Sequence, residues 1–288
     1  MSSILRPALR RGLLASVLLL ASLITPGIGS SVEYSPDITH APGGTVVADE
    51  DVADDDGAGT VTPVPVGPVP AGADVNAYAL LASGGSIVSF DSSTLVPGLG
   101  ALAKPNGLVT VDATGTFFIS VISGAIFGIP ASARIDALTV NALGELMFSL
   151  DITTSLPAVG TVHDEDLVLF SGGVLSLFFD GSLHGVSESL DLDAAHRSTT
   201  GDDLMVSFDT AGIVGGIPFE DEDVLAFDTV ALTWTMFQDS SVSDPIEWPP
   251  ADLVALVALP EPGRALSLLA GLALLFWLRP GRAQSSRR

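Results

Sequence analysis

The sequence of 288 residues contains no cysteine. That excludes disulfides, cysteine-ligated zinc and thiol catalysis. It also excludes the lipid-modified cysteine of a bacterial lipoprotein, so any membrane anchor must be peptidic. Basic residues are nearly as scarce: 11 Lys and Arg stand against 34 Asp and Glu, for a formal net charge of −23. Most of these bases lie at the two ends. Arg6, Arg10 and Arg11 precede the first hydrophobic run, and Arg264, Arg279, Arg282, Arg287 and Arg288 flank or follow the last. Only Lys104, Arg134 and Arg197 remain for residues 30–263, which carry 34 acids against 3 bases, a formal charge of −31. Such a body is repelled by nucleic acid phosphates, whose binding depends on Lys and Arg releasing counterions. It attracts cations and basic partners instead. The same charge also keeps an apolar, strand-rich chain in solution.

Catalytic signatures are missing too. His40, His163, His184 and His196 form no metalloprotease helix motif, and neither a Gly-x-Ser-x-Gly elbow nor a glycine-rich phosphate loop occurs. Carboxylate pairs suited to glycoside hydrolysis are available in any chain this acidic, and availability alone argues little. Trp234, Trp248 and Trp277 are scattered rather than gathered into a sugar-binding platform. The chain reads as non-catalytic.

What is present begins with the ends. The basic start is followed by Gly12–Ile24, 13 almost wholly apolar residues closed by Pro26 and Gly27, with small residues Gly29, Ser30 and Ser31 after them. This is the order of a secretory signal peptide, residues 1–30, and the run is short for a membrane span. At the other end, Pro260-Glu261-Pro262 leads through Gly263 and Arg264 into an uncharged, helix-favouring run, Ala265–Leu278. The run is expected to be one transmembrane helix, 265–278. At 1.5 Å per residue it spans only about 21 Å, so Arg264 and Arg279 must snorkel to the two surfaces. The arginines after it place that end in the cytoplasm by the positive-inside rule, and the body outside.

The order Pro-Glu-Pro, hydrophobic helix, arginine tail resembles the PEP-CTERM sorting signal of exosortase substrates in Gram-negative bacteria. The resemblance covers residues 260–288 and leaves the body unassigned. It implies processing at Pro260, Glu261 and Pro262, with signal peptidase and an exosortase-type sorting protease as partners. It further implies a body anchored at the inner membrane, held in the periplasm and then passed to the cell surface or extracellular matrix. An exopolysaccharide is the partner such a location suggests.

The body, residues 31–259, repeats itself. SIVSFD (Ser86–Asp91) returns as LMFSLD (Leu146–Asp151) and LMVSFD (Leu204–Asp209), with a fainter copy, VEYSPD, from Val32. The serines Ser35, Ser89, Ser149 and Ser207 are 54, 60 and 58 residues apart. In the same phase stand the triplets Asp49-Glu50-Asp51, Asp164-Glu165-Asp166 and Asp221-Glu222-Asp223, with Pro105-Asn106-Gly107 in the second unit. Asn76, Asp136, Asp193 and Asp252 recur in phase as well, 60, 57 and 59 residues apart. Four units of about 58 residues follow, near 31–73, 74–133, 134–190 and 191–259, each with four short strands. In the third unit the strands fall near Asp136–Val140, Leu146–Asp151, Asp166–Phe170 and Leu175–Asp180, with a tight turn at Gly172-Gly173.

The first unit starts at its second strand, and the missing first strand reappears at Ala251–Leu259. A ring closed by pairing its two ends needs that arrangement, so the expected fold is all-β, a four-bladed β-propeller. A β-sandwich or an open β-array is the alternative. The proline-rich stretch 53–72 makes the first blade the weak one, open or ending in an edge strand.

Carboxylates at i and i+2 of an extended segment point the same way and can share a hard cation such as Ca²⁺. Asp49, Asp51, Asp164, Asp166, Asp221 and Asp223 are the candidate metal ligands on that ground. Asp136, Asp193 and Asp252, with Asn76, read as turn caps, and so do the Ser-x-Asp endings of the repeated strings. The reading that emerges is an exported, non-catalytic surface or matrix protein. A calcium-dependent binding module for polysaccharide or a basic protein is the alternative, and a secreted hydrolase the third.

Overall fold

The computed structural model describes residues 31–258, apart from 57–59, 68, 71, 83, 99, 113, 115, 199–202 and 241–250. The signal-like segment, the processing tripeptide Pro260–Pro262 and the expected helix 265–278 lie outside the described residues. Among those described, no helix is long and apolar enough to cross a membrane.

The described residues form 22 strands. The chain opens with β1 (Val32–Pro36), β2 (Val52–Asp55) and β3 (Val61–Val64). Next come β4 (Val75–Leu80) and β5 (Ser86–Phe90), a small hairpin of β6 (Thr94–Leu95) and β7 (Leu102–Ala103), then β8 (Gly107–Val111) and β9 (Phe117–Ser123). The plan repeats with β10 (Ile135–Val140), β11 (Leu146–Leu150), the hairpin β12 (Thr154–Leu156) and β13 (Gly160–Val162), β14 (Leu167–Ser171) and β15 (Val174–Phe179). It repeats again with β16 (Ala194–Arg197), β17 (Asp203–Ser207), the hairpin β18 (Gly212–Val214) and β19 (Ile217–Phe219), β20 (Val224–Asp228) and β21 (Thr233–Gln238). The last strand is β22 (Leu253–Ala258).

Four antiparallel sheets of four strands result, ordered β22-β1-β2-β3, β4-β5-β8-β9, β10-β11-β14-β15 and β16-β17-β20-β21. The first member of each sheet touches the first member of the next in a closed circuit, and β10 also meets β22 across the axis. This is a four-bladed β-propeller. Blade one is closed by the end of the chain: β22 pairs with β1 from Val32↔Ala258 to Pro36↔Leu253.

The expected strands of the third unit match β10, β11, β14 and β15 within a residue or two. The small hairpins between second and third strands were not expected. Strands of two or three residues are too short for an alternating pattern to register. The proline-rich stretch supplies β3, the outer edge of blade one. Pro63 stands opposite Ala53, on an edge strand where a missing N–H donor does the least harm.

Packing follows from the blade order. Each of the four hydrophobic clusters fills one gap between neighbouring blades. Ile87 and Leu108 of blade two meet Leu138, Phe148 and Val168 of blade three. Tyr78, Phe90 and Val109 of blade two meet Val52 and Val257 of blade one. Phe179 of blade three meets Phe208, Phe219 and Phe227 of blade four. Val32, Tyr34 and Leu256 of blade one meet Val224 and Ala226 of blade four, closing the circle. Large side chains such as Phe148 and Phe208 are fully buried, at about 1.5–3 kcal/mol each. Near the axis the side chains are small (Ala77, Ala137, Ala194, Ala195 and Ala255, all buried), which lets four innermost strands approach closely.

Candidate functional site

In every blade the first and third strands run one way and the second and fourth the other. The starts of the first strands, the ends of the second and the starts of the third therefore share one end of the molecule. All the repeated acids of the sequence map to those positions. They gather at one end of the propeller axis.

At the centre of that end lie Asn76, Asp136, Asp193 and Asp252, one from each blade and all buried or nearly so. Bulges help aim them. The pairing of β4 with β5 slips between Val75 and Ala77, leaving Asn76 as the extra residue, and that of β10 with β11 slips between Ile135 and Leu138. A bulge re-aims a side chain that a regular strand would send to one face. Asn76 Nδ2 donates to Asp136 Oδ1 at 2.7 Å and to the Ile135 carbonyl at 2.9 Å. The Asp193 carboxyl lies within hydrogen-bonding reach of both Asp136 and Asp252. The turn-cap expectation fails for Asn76 and Asp136: their partners are some 60 residues away in the neighbouring blade rather than in their own turn.

Electrostatics at the ring are those of acids crowded away from water. Burial pushes Asp136 up to about 7 and Asp252 up to about 7. Asp193 is raised well above the carboxylate range, by burial first and then by Asp252 and Asp136. Asp191 is pushed up to about 8 by burial, with Asp136, Asp164 and Asp209 adding repulsion. A hydrogen bond between two carboxyls requires a proton, so the ring holds protons that exposed carboxylates would release. Carboxylate oxygens of Asp136, Asp191 and Asp193 lie within 4.8 Å of one another. Asp191 Oδ1 is shielded from solvent and has no hydrogen-bond partner.

Around the ring, in blades one, three and four, the aspartates ending the second strands take the leading main chain of the innermost strands. Asp151 Oδ1 accepts Arg134 N–H, Asp209 Oδ1 accepts Asp191 N–H, and Asp37 Oδ1 accepts Asp252 N–H. Arg134 also pairs with Asp151 through its guanidinium at 2.9 Å. The repeated serines work at long range as well. Ser35, Ser89 and Ser207 donate to the carbonyls of Asp51, Pro105 and Asp223, each 16 residues on. Ser149 accepts the Ala137 N–H freed by the bulge and donates to the Leu192 carbonyl of the next blade. The expectation that these Ser-x-Asp endings make local turns is replaced by this lattice of ties.

The triplet acids share the same end and divide their tasks. Asp166 Oδ2 accepts His163 N–H and its Oδ1 accepts Gly181 N–H. Asp223 repeats this with Glu220 and Ser240. Asp51 Oδ2 accepts Ala48 N–H. The third acids thus cap their own loops and, in blades three and four, also hold the chain leaving the outer strand. The first acids face the next blade: Asp49 is felt by Asp74, Asp164 by Asp191 and Asp221 by Asp252. The middle acids are buried in two blades, and burial pushes Glu165 and Glu222 each up to about 7. Sequence reading missed Asp191. Its signal was Asp191-Leu192-Asp193, an Asp-x-Asp pair entering a strand.

No family model matches the chain, and no curated protein matches it. Among solved structures, it is similar to a protein of unknown function from Bacteroides caccae. That likeness has 10% identity and a TM-score of 0.29, over 81% of this chain and 59% of the other. The chain thus spans under two thirds of that protein's length. It is also similar to the structure titled YCF48 bound to D1 peptide, at 11% identity and a TM-score of 0.29, over 74% of this chain and 68% of the other. The propeller assignment rests on this chain's own strand order.

Proposed function

We propose that the chain is an exported, non-catalytic propeller of the cell surface or extracellular matrix, and that its acidic axial end takes a hard divalent cation such as Ca²⁺. The observation that carries the cation reading is the approach of Asp136, Asp191 and Asp193, with the shielded, unpartnered Asp191 Oδ1 among them. These three carboxylates fit the oxygen chemistry of calcium and would supply part of its six to eight ligands. A cation would replace the protons that the crowded carboxyls otherwise hold. The export reading is supported by the signal-like start, and by the resemblance of residues 260–288 to a PEP-CTERM sorting signal.

Calorimetric titration of residues 31–259 with Ca²⁺ tests the first part. Saturable heat and a raised melting temperature are expected, both lost in Asp193→Asn. No heat and no thermal shift would leave only the plain matrix protein. Cell fractionation tests the second part. Replacing Pro260, Glu261 and Pro262 by alanine should trap the full-length chain in the membrane fraction, whereas an unchanged distribution would sink the sorting assignment.

A further inference from the structure

The four innermost strands run from the carboxylate ring to the opposite end of the axis. There Leu80, Val140, His196 and Ala258 line a cavity of about 200 Å³. β22 leaves the fold at this end, on the axis itself. β1 enters there too, because Val32 is paired with Ala258. The chain thus departs for its hydrophobic run from the end opposite the acids.

The distance available to it is short. Between Ala258 and the run beginning at Ala265 stand only residues 259–264. Six residues reach at most about 20 Å when fully extended. A body of this size has a radius of gyration of about 17 Å and is about 45 Å across. To bring the acidic end down to a bilayer, the connector would first have to run some 20 Å outward from the axis to the rim. It would then have to pass down the full depth of the blades. The first leg alone exhausts its length.

We propose that the tethered protein stands with the β22 exit end against the bilayer and the carboxylate ring facing away from it. The lipid surface is thereby the partner of the exit end. This rests on the reading of 265–278 as a membrane helix.

The absence of cysteine makes the test direct. Single cysteines at Ala142 and Val230 mark the exit end, and at Ser155 and Leu183 the acidic end; all four residues are exposed. Each variant of the full, unprocessed chain is labelled with a fluorophore and reconstituted into vesicles carrying a headgroup-attached quencher. Ala142→Cys and Val230→Cys labels should be quenched severalfold more than Ser155→Cys and Leu183→Cys labels, and the difference should vanish in detergent. Equal quenching, or stronger quenching at the acidic end, in protein that floats with the vesicles would overturn the orientation alone. Failure to float would overturn the tether, and the orientation with it.

Discussion

At the scale of single residues, the ring is a set of acids held where acids are costly. The sign of its pH dependence follows. Asp136, Asp191, Asp193 and Asp252 have folded-state pKa values raised above the unfolded value of about 4. The folded state keeps protons that the unfolded chain gives up. Its stability is therefore greatest below pH 4 as far as these groups decide it, and falls as pH rises from 4 through 7 to 8. Without added cation, the melting temperature measured by circular dichroism should drop across that window. Asp136→Asn keeps an oxygen for Asn76 but cannot ionise, so it should raise stability at pH 8 by about 1–3 kcal/mol and flatten the slope. Ser149→Ala works the other way: it strips the Ala137 N–H and the Leu192 carbonyl of a partner. Denaturant unfolding should show a loss of about 1–3 kcal/mol. The recurrence of these residues was legible in the sequence; their roles were not. A serine or aspartate repeated every 54–60 residues carries no local sign that its partner belongs to the next blade. Local turn chemistry was the only account spacing could offer.

The blade strands were more legible, because they repeat short apolar strings bounded by turn residues. Ser86–Phe90, Leu146–Leu150 and Asp203–Ser207 are second strands in three successive blades. The turn at Gly172-Gly173 has φ of 58° and 85°, the left-handed conformation that its two glycines permit. Hidden from the sequence was how tightly the loops after the outer strands close. A Cβ on Gly181 would lie 2.5 Å from the carbonyl oxygen and the Cγ of Glu165, which is buried beneath it. Gly181→Ala should therefore destabilise blade three by more than about 1 kcal/mol, seen as earlier unfolding in urea. The closing strand matters more than any single contact. Removing residues 251–288 takes Leu253, Leu256 and Ala258 from one inter-blade core and Ala255 and Val257 from another. It also leaves β1 with a bare edge. The truncated body should lose its cooperative thermal transition and become sensitive to protease.

For the whole molecule, four-fold repetition gives four similar blades but not four equal chemistries at the axis. Asn76 replaces the aspartate in blade two and Asn106 replaces the triplet glutamate there. Asn106 Nδ2 donates to the carbonyls of Ile129 and Pro130. Blade two brings an amide rather than a carboxyl to the ring itself, and the approach of Asp136, Asp191 and Asp193 lies off-centre, toward blades three and four. Converting Asn76 to Asp would remove the donor that holds Asp136. It should steepen the fall in melting temperature with pH, a change read by thermal scans at pH 5 and pH 8. The pairing of β1 with β22 has a further consequence, which concerns time rather than strength. Ribosomes deliver the chain from its amino end, so β1 waits through more than two hundred residues before the strand that completes its blade exists. A closed ring cannot form until nearly the whole body has been synthesised. The last strand to arrive is also the one adjoining Pro260, so the ring can close only as the proposed processing tripeptide itself emerges.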